Sequence, residues 1–137
     1  MKVRCRFASV CEVGDETTTA RLLRFVRIPG GHLNVTVGAE YVVYGILFRD
    51  NAPWYYLCLA DDDESPTPFP AEIFDVVDHR LSRHWQLASI ARDDGSVSSC
   101  LVVPEWAEDP IFLERLAEGD PKATETFAAY RIKMDEE

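Results

Sequence analysis

Residues 40–60, EYVVYGILFRDNAPWYYLCLA, decide the fold. Strict alternation from Glu40 to Arg49 sets Tyr41, Val43 and Leu47 on one face and Val42, Tyr44, Ile46 and Phe48 on the other, with Gly45 marking a bend or bulge. Both faces are apolar, which predicts a central strand buried on two sides. Asp50-Asn51-Ala52-Pro53 supplies turn residues, and Trp54 to Ala60 is a second run of aromatic, β-favouring side chains at hairpin distance. The two runs are expected to pair antiparallel.

Downstream, the acidic stretch Asp61-Asp62-Asp63-Glu64 is followed by Ser65-Pro66-Thr67-Pro68-Phe69-Pro70. Three prolines remove three backbone donors, so this segment reads as a loop. Pro70 to Phe74 reads as one helical turn opened by proline, feeding a strand over Phe74 to Asp78. Trp85 to Ala91 and Val97 to Val103 read as a further hairpin across the turn Asp93-Asp94-Gly95. Two helices are expected to close the chain, each with an aspartate cap and a first-turn proline, at Asp109-Pro110 and Asp120-Pro121, and with Gly119 as the stop between them. Upstream, Met1 to Val10 contains a short strand pattern, and Phe25, Val26 and Ile28 make Arg21 to Arg27 read as a strand before the breaker Pro29-Gly30-Gly31. The expectation is an α+β, mostly β fold over residues 1–137 as a single domain. Its centre is an SH3-like bent antiparallel sheet or small barrel at 37–78, followed by a helical pair at 109–134.

Composition narrows the function. The chain has 137 residues and a formal charge of −10, and its first 50 residues are slightly basic while the remainder holds 19 of the 24 acidic side chains. Such a field repels nucleic acid and anionic lipid and steers basic proteins inward. No apolar run approaches the roughly 20 residues that cross a bilayer, and basic residues in Met1 to Val10 alternate with apolar ones, unlike a secretory signal. A cytoplasmic location is expected. Cys5, Cys11, Cys58 and Cys100 lack the closely spaced pair of a structural zinc site, so they are expected to be free thiols, with Cys58 and Cys100 buried. His32, His79 and His84 show no ligand spacing, and the Asp61 to Glu64 run lacks the glycine and glutamate of a calcium loop. No metal, no cofactor and no catalytic motif is expected; the serines sit in no nucleophile elbow.

The positions Val37-Gly38, Tyr41, Tyr44-Gly45, Tyr55-Tyr56, Asp61-Asp62, Pro70, Phe74 and Trp85 together resemble a pattern of small bacterial proteins. These are immunity proteins of polymorphic-toxin and contact-dependent inhibition systems, β-rich single domains that block a cognate toxin in the producer's cytoplasm. The resemblance spans about 50 of the 137 residues. It implies stoichiometric inhibition of a toxin domain, and the charge adds that the toxin is basic. The expected contact residues are Asp61, Asp62, Asp63 and Glu64, with Glu72 and Asp75 beside them; Glu118 and Glu125 in the tail are the competing acids. The other reading is an acidic SH3-like regulatory or peptide-binding module without a toxin partner, its groove lined by Trp54, Tyr55 and Tyr56.

Overall fold

The computed structural model describes residues 1–91 and 94–137, so the first aspartate of the expected Asp93-Asp94-Gly95 turn lies outside the described residues. The chain is an α+β fold with two antiparallel sheets, and helix (33%) and strand (30%) contribute almost equally. One sheet holds β1 (Lys2–Cys5), β2 (Glu40–Val42) and β6 (Phe74–Asp78) in the order β2-β1-β6. The other holds β3 (Gly45–Arg49), β4 (Ala52–Leu57), β5 (Thr67–Pro70), β7 (Gln86–Ala91) and β8 (Val97–Val102) in the order β5-β4-β3-β8-β7.

The long apolar run is two strands, not one. After Val42 the chain leaves the small sheet, and at Gly45 it enters the large one. Gly45 is the bend the sequence marks, and the reason is space: a Cβ there would lie 3.1 Å from Val102 and 3.2 Å from the carbonyl of Leu101. The hairpin is as expected, Gly45 pairing with Tyr56 and Arg49 with Ala52. Its two-residue turn places Asp50 and Asn51 at φ of 54° and 59°, the left-handed conformation that Asp and Asn tolerate best after glycine.

Three expectations are corrected. Arg21 to Arg27 is no strand: α1 (Glu16–Leu23) occupies its first half, because the Asp15 carboxylate accepts from the Thr18 N–H at 2.7 Å and Leu22 is fully buried. The proline segment is not all loop, since Thr67–Pro70 pairs with β4 as an edge strand. Pro68 and Pro70 are two residues apart, so an antiparallel ladder lets both turn their donorless nitrogens outward while Thr67 and Phe69 face β4. Three helices close the chain instead of two: α2 (Pro104–Glu108), α3 (Phe112–Ala117) and α4 (Pro121–Asp135). Pro104 at a first-turn position opens the missed one. Asp109 closes a local turn, accepting from the Ile111 N–H at 3.1 Å, whereas Asp120 caps α4 through the Ala123 N–H at 2.9 Å as expected.

The buried apolar side chains form one cluster in which the large sheet is sandwiched. Tyr56 meets Trp106 of α2 at a ring separation of 4.7 Å, and Trp106 stacks on Phe112 of α3 at 5.8 Å. On the opposite face Tyr55 meets Phe74 of β6 at 6.2 Å, which in turn meets Tyr41 of β2 at 6.3 Å. Aromatic contacts therefore seat the helices on one face of β4 and the small sheet on the other. Trp106→Ala is expected to cost about 3–5 kcal/mol, read as a lowered denaturation midpoint with an unchanged slope; a loss below about 1 kcal/mol would show that α2 is not part of the core.

Candidate functional site: a clamped acidic loop

Between Leu57 and Thr67 the chain leaves the sheet and carries its acidic stretch into solvent. Asp63 folds the loop on itself, its Oδ2 accepting from the backbone N–H groups of Leu59 at 2.7 Å and Ala60 at 2.9 Å. It is half-buried, and its carboxylate is consumed by the turn. From the other side Arg131 of α4 donates Nη1 to the Asp63 carbonyl at 2.6 Å and Nη2 to the Ala60 carbonyl at 3.0 Å. Pro66 is buried where the loop rejoins the sheet. Two loop carbonyls and two loop N–H groups are thus satisfied by side chains, which leaves Asp61, Asp62 and Glu64 exposed. Among the described residues these three carboxylates have no hydrogen-bond or ion-pair partner.

Arg131 is held in turn by Tyr44. Its guanidinium lies 5.7 Å from the Tyr44 ring centroid, and the Tyr44 hydroxyl donates to Asp135 Oδ1 at 2.6 Å. Burial, with the hydrogen bond to Asp135, holds the phenol well above its ordinary pKa, so it stays a donor at any physiological pH. Cys58 sits beside this cluster, and burial pushes its thiol from 9.0 up to about 11. Held neutral, it packs as a small buried apolar side chain.

The other expected contact residues lie elsewhere and are occupied. β5 runs from the loop towards Glu72, which follows it in a 3₁₀ turn over Ala71–Ile73. Glu72 forms a half-buried ion pair with Arg21 that ties α1 to this turn. Asp75 pairs with Arg6 across the small sheet at 3.4 Å. Of the six residues singled out in the sequence, the loop brings together four, and three of these are free to meet a partner. Glu118 and Glu125 are exposed, after α3 and on α4. The sequence reading missed Arg131 and Tyr44; an arginine 68 residues downstream of the Asp63 carbonyl it binds leaves no local pattern.

The three aromatic residues proposed for a peptide groove are all buried in the core; Trp54 borders one cleft and Tyr56 another, on the side of α2. The Trp54 cleft, about 400 Å³, is walled by Phe25, Ile28, Leu33, Leu59 and Pro68 and lies against the base of the loop. The Arg49 guanidinium is placed over both Phe25 (4.9 Å) and Trp54 (5.1 Å). All four cysteines are free thiols; Cys5, Cys58 and Cys100 are buried and Cys11 is exposed. Among the described residues no three His, Cys, Asp or Glu side chains gather to hold a metal ion, and no helix is long and apolar enough to cross a membrane. The chain matches no family model, no curated protein and no solved structure.

Two outcomes test this geometry. Arg131→Ala is expected to raise the amide hydrogen-exchange rates of residues 59–64 at least about tenfold while leaving β3 and β8 unchanged; equal rates in both proteins would mean that Arg131 does not hold the loop. A thiol pKa raised by folding favours the protonated form, so this contribution to stability is complete below about pH 9 and is lost as pH rises towards 11. Burial raises Cys5 and Cys100 in the same direction. Cys58→Ala should therefore lose less stability than the native chain between pH 9 and 11 in urea titrations; parallel declines would count against a buried, neutral Cys58.

Proposed function

We propose that the chain is an immunity protein: it binds a basic toxin domain stoichiometrically in the cytoplasm of the producing cell and blocks it through the acidic loop. The observation that carries this reading is the clamped loop, in which three carboxylates without partners are displayed on a backbone fastened at four points. Fastening lowers the ordering entropy lost on binding, which a flexible acidic tail would lose in full. The arrangement suits an electrostatic docking surface, because exposed charges of one sign raise the encounter rate with a basic surface and disfavour acidic ones. Net charge of −10 extends the same field over the molecule.

A second reading draws on the cleft beside the loop. An acidic peptide-binding module would seat an apolar side chain against Trp54 while the loop takes up flanking basic residues. Both readings use Asp61, Asp62 and Glu64, and they differ in what the partner does.

The functional test is capture followed by rescue. The protein that binds the chain in a lysate of the producing cell is identified and expressed alone in a surrogate host. The immunity reading expects it to arrest growth, and co-expression of this chain to restore growth; a partner that is harmless alone would leave the peptide-binding module. The surface is tested by Asp61→Asn, Asp62→Asn and Glu64→Gln together, with Asp63 kept because it holds the turn. Association with the captured partner should slow at least about tenfold at low ionic strength and much less at high ionic strength. An unchanged association rate at low salt would move the contact to another surface, with Glu118 and Glu125 next in line.

A further inference from the structure

The cleft bordered by Trp54 departs from the charge of the rest of the molecule. The chain carries a net −10, yet among the described residues lining this cleft there is no Asp or Glu, and the charge comes from Arg27 and Arg49 alone. Arg49 lies over the rings of Phe25 and Trp54, which puts its charge on the aromatic wall. Arg27 is exposed, and among the described residues it enters no ion pair and no side-chain hydrogen bond. Phe25 and Ile28 are 38% and 53% exposed, so part of the apolar wall stands open to water. Trp54 is 3% exposed, and its indole N–H, shut off from solvent, has no acceptor among the described residues. A buried donor left unbonded is costly, and a bound acceptor would remove the cost.

We infer that this cleft binds a small amphipathic carboxylate. The apolar body packs against Phe25, Ile28, Leu33 and Leu59, the Arg27 guanidinium holds the carboxylate at the mouth, and the Trp54 N–H donates to one of its oxygens. Three observations select this occupant. A cationic lining in an acidic molecule calls for an anion. One guanidinium without a partner matches one negative charge, and its planar fork fits a carboxylate. The volume of about 400 Å³ is that of a small-ligand site. A peptide strand finds no backbone to pair with here, because β5, which borders the cleft through Thr67, Pro68 and Phe69, turns only proline nitrogens outward. The carboxylates of the acidic loop oppose such an anion, so this site is separate from the loop and does not depend on the proposed function.

Titration of the full chain with octanoate, followed by ¹H–¹⁵N spectra, tests it. The indole proton of Trp54, assigned through its contact with Phe25, is expected to move downfield and saturate, with a dissociation constant on the order of 1 mM. Octan-1-ol and octylamine carry the same chain with a neutral or a cationic head and should bind at least about tenfold more weakly. Arg27→Glu should weaken octanoate at least about tenfold, while Arg83→Glu, outside the cleft, should leave it nearly unchanged. The amide spectrum checks folding, and Arg27→Ala replaces the reversal if that variant unfolds. An unmoved Trp54 indole proton overturns the inference, as do equal binding of the three probes and equal weakening by the two arginine variants. So does tighter binding of a glycine-rich tetrapeptide ending in phenylalanine, which would make the cleft a peptide site.

Discussion

Tyr44 is the point on which both the fold and the candidate site depend. Its N–H donates to the Tyr56 carbonyl at 2.9 Å and its carbonyl accepts from the Trp85 indole at 3.2 Å, which fixes the chain where it crosses from the small sheet to the large one. Its ring meets Phe127 of α4 edge to face at 5.7 Å, and its hydroxyl anchors Asp135 near the end of the same helix. α4 is thereby docked at two points, so the register of Arg131 against the loop follows from one aromatic side chain. A single polar handle on a buried ring does this because an unbonded phenol in the core would be costly, and Asp135 is the acceptor that removes the cost.

The electrostatics of the molecule divide along the same line. Several carboxylates serve the structure: Asp15 and Asp120 cap helices, Asp78 chelates Arg80, Asp109 and Asp120 share Arg115, and Glu72 and Asp75 tie separate elements together. Hydrogen bonds from the Arg80 guanidinium and backbone hold the Asp78 carboxyl well below the usual range, and the capping bond from Ala123 lowers that of Asp120. In the loop only the Asp63 carboxylate serves the structure, while Arg131 is taken up by backbone carbonyls and not by the neighbouring acids. Three charges are left without partners at one place, and those charges shape the long-range field a basic partner meets first.

The hairpin and its neighbours were legible because strand period, turn residues and the two-sided apolar run all speak locally. The Asp120-Pro121 start of α4 was legible for the same reason. Other elements depended on context. Phe25 and Val26 argued for a strand by propensity, and the Asp15 cap with one buried leucine outweighed them. Pro66, Pro68 and Pro70 remove three backbone donors, yet Pro68 and Pro70, two residues apart, sit in an edge strand that needs neither nitrogen. The acidic stretch could be found in the sequence, but not the division of labour within it. That Asp63 closes the turn, and that Glu72 and Asp75 are already paired, depends on contacts with residues that lie far away in the chain.

Clamped by Asp63 and Arg131, the acidic loop is a preformed surface and not a flexible charged segment. Backbone ¹⁵N relaxation of the free chain measures this directly. The clamp predicts order parameters for the amides of residues 59–64 close to the roughly 0.85 of rigid backbone, matching those of the flanking strands. Values below about 0.6 across the loop would contradict it, and with it the account of how these carboxylates meet a partner.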